Sequence, residues 1–162
     1  MPKPLLVATA FLLFSASVAY ADPMAIARMH DDGFVNAALA CEPETMIKFY
    51  EPGAIAIYPG EGEVAHTKSE IEKLIHSFIS PWCGEKRYKP TLKDISFEAL
   101  PIGPNYIMII RVGDLIDSGG KTTRFRATEL IHKSSGKWYY LVDHASIGVA
   151  PESPTPTPSA AK

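Results

Sequence analysis

The side chains best suited to acid–base chemistry in this sequence are Asp143, His144, Tyr58 and Tyr50, and those best suited to orienting a small ligand are Arg126, Thr128, Trp138 and Ser146. Proton transfer at carbon without a cofactor needs a base near the acidic carbon and a donor for the oxygen that takes up charge. A carboxyl, an imidazole or a tyrosine fills these roles once an apolar site shifts its pKa. An arginine beside His144 would favour neutral imidazole, the form that accepts a proton.

The last hairpin sets the relation among these residues. Lys133-Ser134-Ser135-Gly136-Lys137 reads as a three-residue loop, a type I turn closed by a left-handed glycine, which pairs Lys133 with Lys137. Counting from there puts His132 opposite Trp138, Leu130 opposite Tyr140, Thr128 opposite Val142, Arg126 opposite His144 and Arg124 opposite Ser146, all on one side. Apolar surface with a line of polar groups is what a pocket floor requires, so this side is the expected site. A satisfied polar network that only holds the strands together is the alternative reading of Arg126, Thr128, His144 and Ser146. Asp143 falls on the other side, with Phe125, Ala127, Glu129, Ile131 and Ile147, and a bulge would reverse that. The other side is too apolar to face water, and the same sheet of a second subunit is its simplest cover; a homodimer is expected.

Several chemistries find no support. The histidines lack the short spacings that set two imidazoles on one ion, and the cysteines are far apart, so no metal is expected. No Gly-x-Ser-x-Gly elbow occurs, and Gly119-Gly120 signals a turn. A formal net charge of −2 without a basic cluster argues against nucleic acid.

The elements that must position these residues follow from periodicity. Asp22-Pro23 opens a helix over 23–41, with Ile26, Met29, Phe34, Ala37 and Ala38 near helical spacing, and a short helix follows over 43–50. A strand over 54–58 ends at Pro59-Gly60. Thr67 and Glu70 form a capping box before the stripe Ile71, Leu74, Ile75, Phe78 and Ile79, and Pro81 is expected to stop this third helix. Four β segments, 91–100, 106–116, 122–133 and 138–149, then read as an antiparallel meander. Helices first and strands afterwards indicate an α+β fold.

At the start, Lys3, the apolar run 5–14 and Ala19-Tyr20-Ala21 match a secretory signal peptide over 1–21, so export to a periplasmic or extracellular space is expected, with no membrane anchor after cleavage. One domain over 22–149 follows, then a Pro-rich tail over 150–162 that lacks the apolar content to order itself. In an oxidising compartment Cys41 and Cys83 can form a disulfide; two small buried thiols are the alternative.

Phe34-Val-Asn-Ala-Ala-Leu-Ala and Glu44-Thr-Met-Ile-Lys-Phe-Tyr-Glu-Pro-Gly-Ala resemble the opening of SnoaL-like and ketosteroid-isomerase-like proteins of the nuclear transport factor two-like superfamily. Arg126-Ala-Thr128-Glu, Gly136-Lys-Trp138 and Asp143-His144-x-Ser146 resemble the ending of many small members, and the likeness spans Ile26 to Ile147. One departure is His66-Thr67, where such proteins commonly carry glycine. The resemblance implies a cone in which a curved antiparallel sheet packs against three N-terminal helices around a cavity, with frequent dimerisation through the sheet. It leaves two functional readings open. One is an exported pocket protein that binds a small, partly apolar molecule, with an anionic one expected over Arg126 and His144, and with Tyr58, Thr128, Trp138 and Ser146 as further contacts. The other is a cofactor-free isomerase, cyclase or lyase with His144 or Asp143 as base and Tyr58 as donor.

Overall fold

The computed structural model describes residues 22–59, 64–84 and 89–148. The expected leader over 1–21 and the tail over 150–162 lie outside them. Helix α1, Pro23–Leu39, begins where the Asp22 carboxylate accepts the Met24 N–H at 3.0 Å, with Pro23 supplying the preset φ of a first turn. Its buried stripe is Ala27, His30, Asp31, Phe34, Ala37 and Ala38, so two polar residues occupy core-facing positions.

Helix α2, Pro43–Met46, passes into a 3-10 turn, Ile47–Phe49, and is shorter than the 43–50 expected. Strand β1, Tyr50–Ile57, starts early because the Tyr50 ring belongs to the core, packed edge-on against Phe34 and tilted against Tyr140. Tertiary packing overrides local helix preference here. Helix α3, Lys68–Cys83, has the Thr67–Glu70 capping box and buries Ile71, Leu74, Ile75, Ile79 and Trp82. It does not stop at Pro81. Proline lacks the N–H that would bond the carbonyl of Ser77, and the Ser80 hydroxyl donates to that carbonyl instead at 2.9 Å. Cys41 and Cys83 are joined by a disulfide that ties the end of α1 to the end of α3. Beside it the Trp82 indole N–H donates to the Ala38 carbonyl at 3.0 Å.

Strands β2, Thr91–Gly103, β3, Tyr106–Ile116, β4, Thr122–Ser134, and β5, Lys137–Gly148, form the antiparallel meander. Strand β1 adds to β5 in parallel, giving the order β1-β5-β4-β3-β2, so the curved sheet is mixed rather than wholly antiparallel. The core lies between one sheet face and the helices. Ile107, Ile109, Ile131 and Tyr140 from the sheet meet Ala27, Phe34, Ile75 and Ile79. No helix among the described residues is long and apolar enough to cross a membrane.

The β4–β5 register departs from the expected one twice. The turn has two residues, Ser135 at φ 49° and Gly136 at φ 81°, so Ser134 rather than Lys133 pairs with Lys137. Leu141 is then a bulge between the Ile131–Tyr140 and Leu130–Val142 pairs, after which Thr128 faces His144 and Arg126 faces Ser146. Trp138 and Tyr140 therefore share the face of Asp143 and Ala145, while His144 and Ser146 point the other way.

Candidate functional site

The helices cover the face of β4 and β5 that was expected to meet a second subunit. Arg126, Thr128 and His144 are exposed on the opposite face, with Ser146 half-buried beside them, and none of the four lines the cavity. Trp138 is half-buried against the edge of the core and does not line it either. The guanidinium and imidazole thus point outward, because the helices cover the face of Glu129 and Asp143; the turn and the bulge cancel from Val142 onward and change only the side taken by Trp138 and Tyr140. Asp143 and Tyr58 do reach the interior: they line a cavity of about 480 Å³ between α1, α3 and the sheet. His66, at the departure from the family pattern, is exposed and gives its backbone N–H to Glu70 at 2.9 Å.

Most of the cavity wall is apolar, built by Phe34 and Leu39 of α1, Leu74, Phe78 and Trp82 of α3, and Leu92, Leu115 and Phe125 of the sheet. Gly113 makes room for Phe125, whose ring lies where a Cβ would stand, 2.6 Å away. The floor is polar: Asp31, Tyr58, Arg111, Glu129 and Asp143.

Asp143 is 3% exposed, and its Oδ2 accepts hydrogen bonds from the Tyr50 hydroxyl and, at 2.8 Å, from the Tyr58 hydroxyl. The two phenol oxygens are themselves 2.5 Å apart. Burial pushes the Asp143 carboxyl up to about 6; the two tyrosine bonds and the His144 charge pull it down, and the Asp31 charge pushes it up. Burial first, then the Asp143 charge, raises both tyrosines well above their ordinary value, so they remain donors.

A second network reaches the surface. Arg111 donates to Asp31 in the interior and, through Nε at 2.8 Å, to Asp94, and Arg28 pairs with Asp94 at 2.5 Å. Tyr140 donates to the other oxygen of Asp31 at 3.0 Å. Burial opposes the Arg111 charge, yet Asp31 and Asp94 outweigh it and hold the guanidinium charged. Glu129 is paired directly with Asp143 across the two strands. Burial, then the charges of Asp31 and Asp143, raises its carboxyl well above the usual range against the pull of Arg111, which favours the protonated form. Its Oε2 is buried without a hydrogen-bond partner.

Asp31, Arg111, Glu129 and Tyr140 were not singled out from the sequence, although a signal was present. Arg111 follows Ile107 and Ile109 in the inward period of β3, Glu129 stands between inward Ala127 and Ile131, and Asp31 sits in the stripe of α1. A charge at a core position of an apolar period marks a buried polar site. Away from the cavity, Glu44, Glu72 and His76 bring ligand-type atoms within 4.8 Å of one another on α2 and α3. None of these three lines the cavity.

No family model and no curated protein matches the chain. Solved structures do. A nuclear transport factor two-like protein of unknown function from Pseudomonas putida superposes with a TM-score of 0.67 at 13% identity, over 80% of this chain and 89% of that one. A ketosteroid isomerase-like protein from Erwinia carotovora gives 0.63 at 13% identity, over 81% and 100%. A proposed scytalone dehydratase from Novosphingobium aromaticivorans gives 0.64 at 10% identity, over 78% and 84%. The chain has the nuclear transport factor two-like fold, and structures of this fold that resemble it include isomerase-like and dehydratase-like proteins. At such identities the likeness shows the fold alone, so the chemistry rests on the floor of the cavity.

Proposed function

We propose that this protein binds a small, largely apolar molecule in the cavity and moves a proton at one of its carbons, as a cofactor-free isomerase or lyase with Asp143 as the general base. The observation that carries this reading is the Asp143 carboxyl at the bottom of an apolar cavity, pushed up to about 6 and oriented by two tyrosine donors on one oxygen. A base with its pKa near the working pH is ionised and still basic enough to take a proton from carbon. The tyrosine bonds fix the angle at which the carboxylate meets the substrate, and the apolar wall excludes water that would otherwise solvate it.

The test is deuterium exchange into small cyclic enolisable ketones, followed by nuclear magnetic resonance in heavy water. Exchange accelerated by the wild type, lost in Asp143→Asn and kept in His144→Ala, supports the reading. Exchange that survives Asp143→Asn refutes it. A binding protein without turnover is the second reading, favoured by one observation: both tyrosine hydroxyls already bond Asp143, which leaves neither free for a substrate oxygen. Tight binding of the same ketones with no exchange would select it.

Two further expectations belong to the proposal. Export is supported by the leader-like pattern over 1–21. A homodimer is supported by the uncovered sheet face, where Ile55, Ile57, Ile110, Val112, Leu130 and Val142 are only half-buried. The face is thus the one opposite to that expected from the sequence. Sedimentation at micromolar concentration tests it, and a monomer throughout would count against it.

A further inference from the structure

We infer that the ligand of this cavity carries an uncharged hydroxyl or carbonyl head received by Glu129, and that Glu129 selects this head over an anionic one. The inference rests on the cavity being the ligand site and adds the chemical class of the ligand. Two buried side-chain polar atoms among the described residues lack a partner, His30 Nε2 and Glu129 Oε2, and of these residues only Glu129 lines the cavity. A buried polar atom without a partner is costly, and a bound molecule that supplies one recovers that cost. Burial and the neighbouring acids favour the protonated carboxyl, which can both donate and accept. A ligand hydroxyl can meet either role, and a ligand carbonyl oxygen can accept from the carboxyl O–H.

Charge disfavours the alternative. The cation on the floor, Arg111, is held by Asp31 and Asp94, and Arg28 completes the set on Asp94. Two cations against two acids leave Asp143 as the unbalanced charge of the floor. At the rim Lys121 is accompanied by Asp117. At the floor a carboxylate ligand would therefore lose its hydration without gaining a free cation, beside an acid of its own sign. The anionic ligand expected from Arg126 loses its basis, since Arg126 lies on the other face of the sheet.

Calorimetric titration of indane, 2-indanol and indane-2-carboxylate near neutral pH tests the inference with one apolar body and three heads. In the wild type, 2-indanol is expected to bind about tenfold more tightly than indane, the size of one net hydrogen bond, and at least about tenfold more tightly than the carboxylate. Glu129→Leu should bring the ratio of 2-indanol to indane to about one, and Glu129→Gln, which keeps a donor and an acceptor, should preserve it. Glu129→Met replaces the leucine variant if that one does not fold. An alcohol preference that survives in the leucine or methionine variant overturns the inference, as does carboxylate binding equal to that of the alcohol. If these ratios hold while Asp143→Asn still exchanges deuterium, the acid–base reading fails and the ligand class stands. If none of the three compounds binds, both fall.

Discussion

Both faces of β4 and β5 carry polar side chains, but in different surroundings. Glu129 and Asp143 face each other beneath the helices, while Thr128 and His144, one residue away on the same strands, face each other in the open. Burial raises both carboxyls of the first pair, because a charge that leaves water must be paired or neutralised. The outer residues keep their contact with solvent. Position relative to the helices, more than residue type, decides which polar groups can do chemistry.

The largest expected contrast between the faces is in turnover. Asp143→Asn should lower deuterium exchange by about 10²- to 10⁴-fold, the usual contribution of a positioned base. His144→Ala should leave it within about a factor of two, well inside the roughly 0.5 kcal/mol expected of a surface change. A comparable loss in both variants would erase the distinction between the faces.

Stability gives the next contrast. Arg111→Met removes the cation from a buried network and leaves Asp31 uncompensated, so chemical denaturation should report a loss of roughly 3–5 kcal/mol. Arg126→Ala on the outer face should change stability by less than about 0.5 kcal/mol.

The pH dependence of stability sharpens the comparison further. The folded-state pKa of Asp143 is raised from 3.8 to about 6, so between these values the folded protein binds more protons than the unfolded chain. Its contribution is fully present below 3.8 and is lost as pH rises to about 6. Denaturation midpoints should fall over this window by an amount worth up to about 3 kcal/mol, and Glu129 acts in the same direction. Asp143→Asn should flatten the slope, whereas Thr128→Ala should not alter it.

The smallest expected effect concerns cavity shape. Gly113→Ala pushes the Phe125 ring toward the cavity and should weaken binding of 2-indanol several-fold with a stability cost of about 1–3 kcal/mol, as overpacking does. Unchanged affinity would mean that Phe125 does not border the bound ligand.

Much of the architecture was legible because local signals agreed. The capping box and five-residue stripe of α3, the turn residues and the long β segments each pointed to the same elements. The face assignment was not legible. A left-handed Ser135, which left-handed preferences assign to glycine, and a bulge at Leu141 that no local residue announces decide only the side of Trp138 and Tyr140. Both faces carry enough apolar residues to be buried, so alternation could not tell which one meets the helices. The Arg111 network escaped notice for another reason: Asp31, Asp94 and Arg111 come from α1, β2 and β3 and meet only in the folded chain. Asp143 and Tyr58 were named from the sequence, but their partnership with Tyr50 on a single oxygen follows from the parallel docking of β1 on β5.

The account turns on two adjacent carboxyls at one cavity floor, both held above the usual carboxylate range by burial. Carbon-13 titration of the carboxyl signals of isotope-labelled protein, assigned with Asp143→Asn and Glu129→Gln, measures this directly. The account predicts one signal with a midpoint near 6 that disappears in Asp143→Asn, and a second, absent in Glu129→Gln, that titrates well above the usual carboxylate range. Titration of both groups in the ordinary carboxylate range, around pH 4, would contradict it.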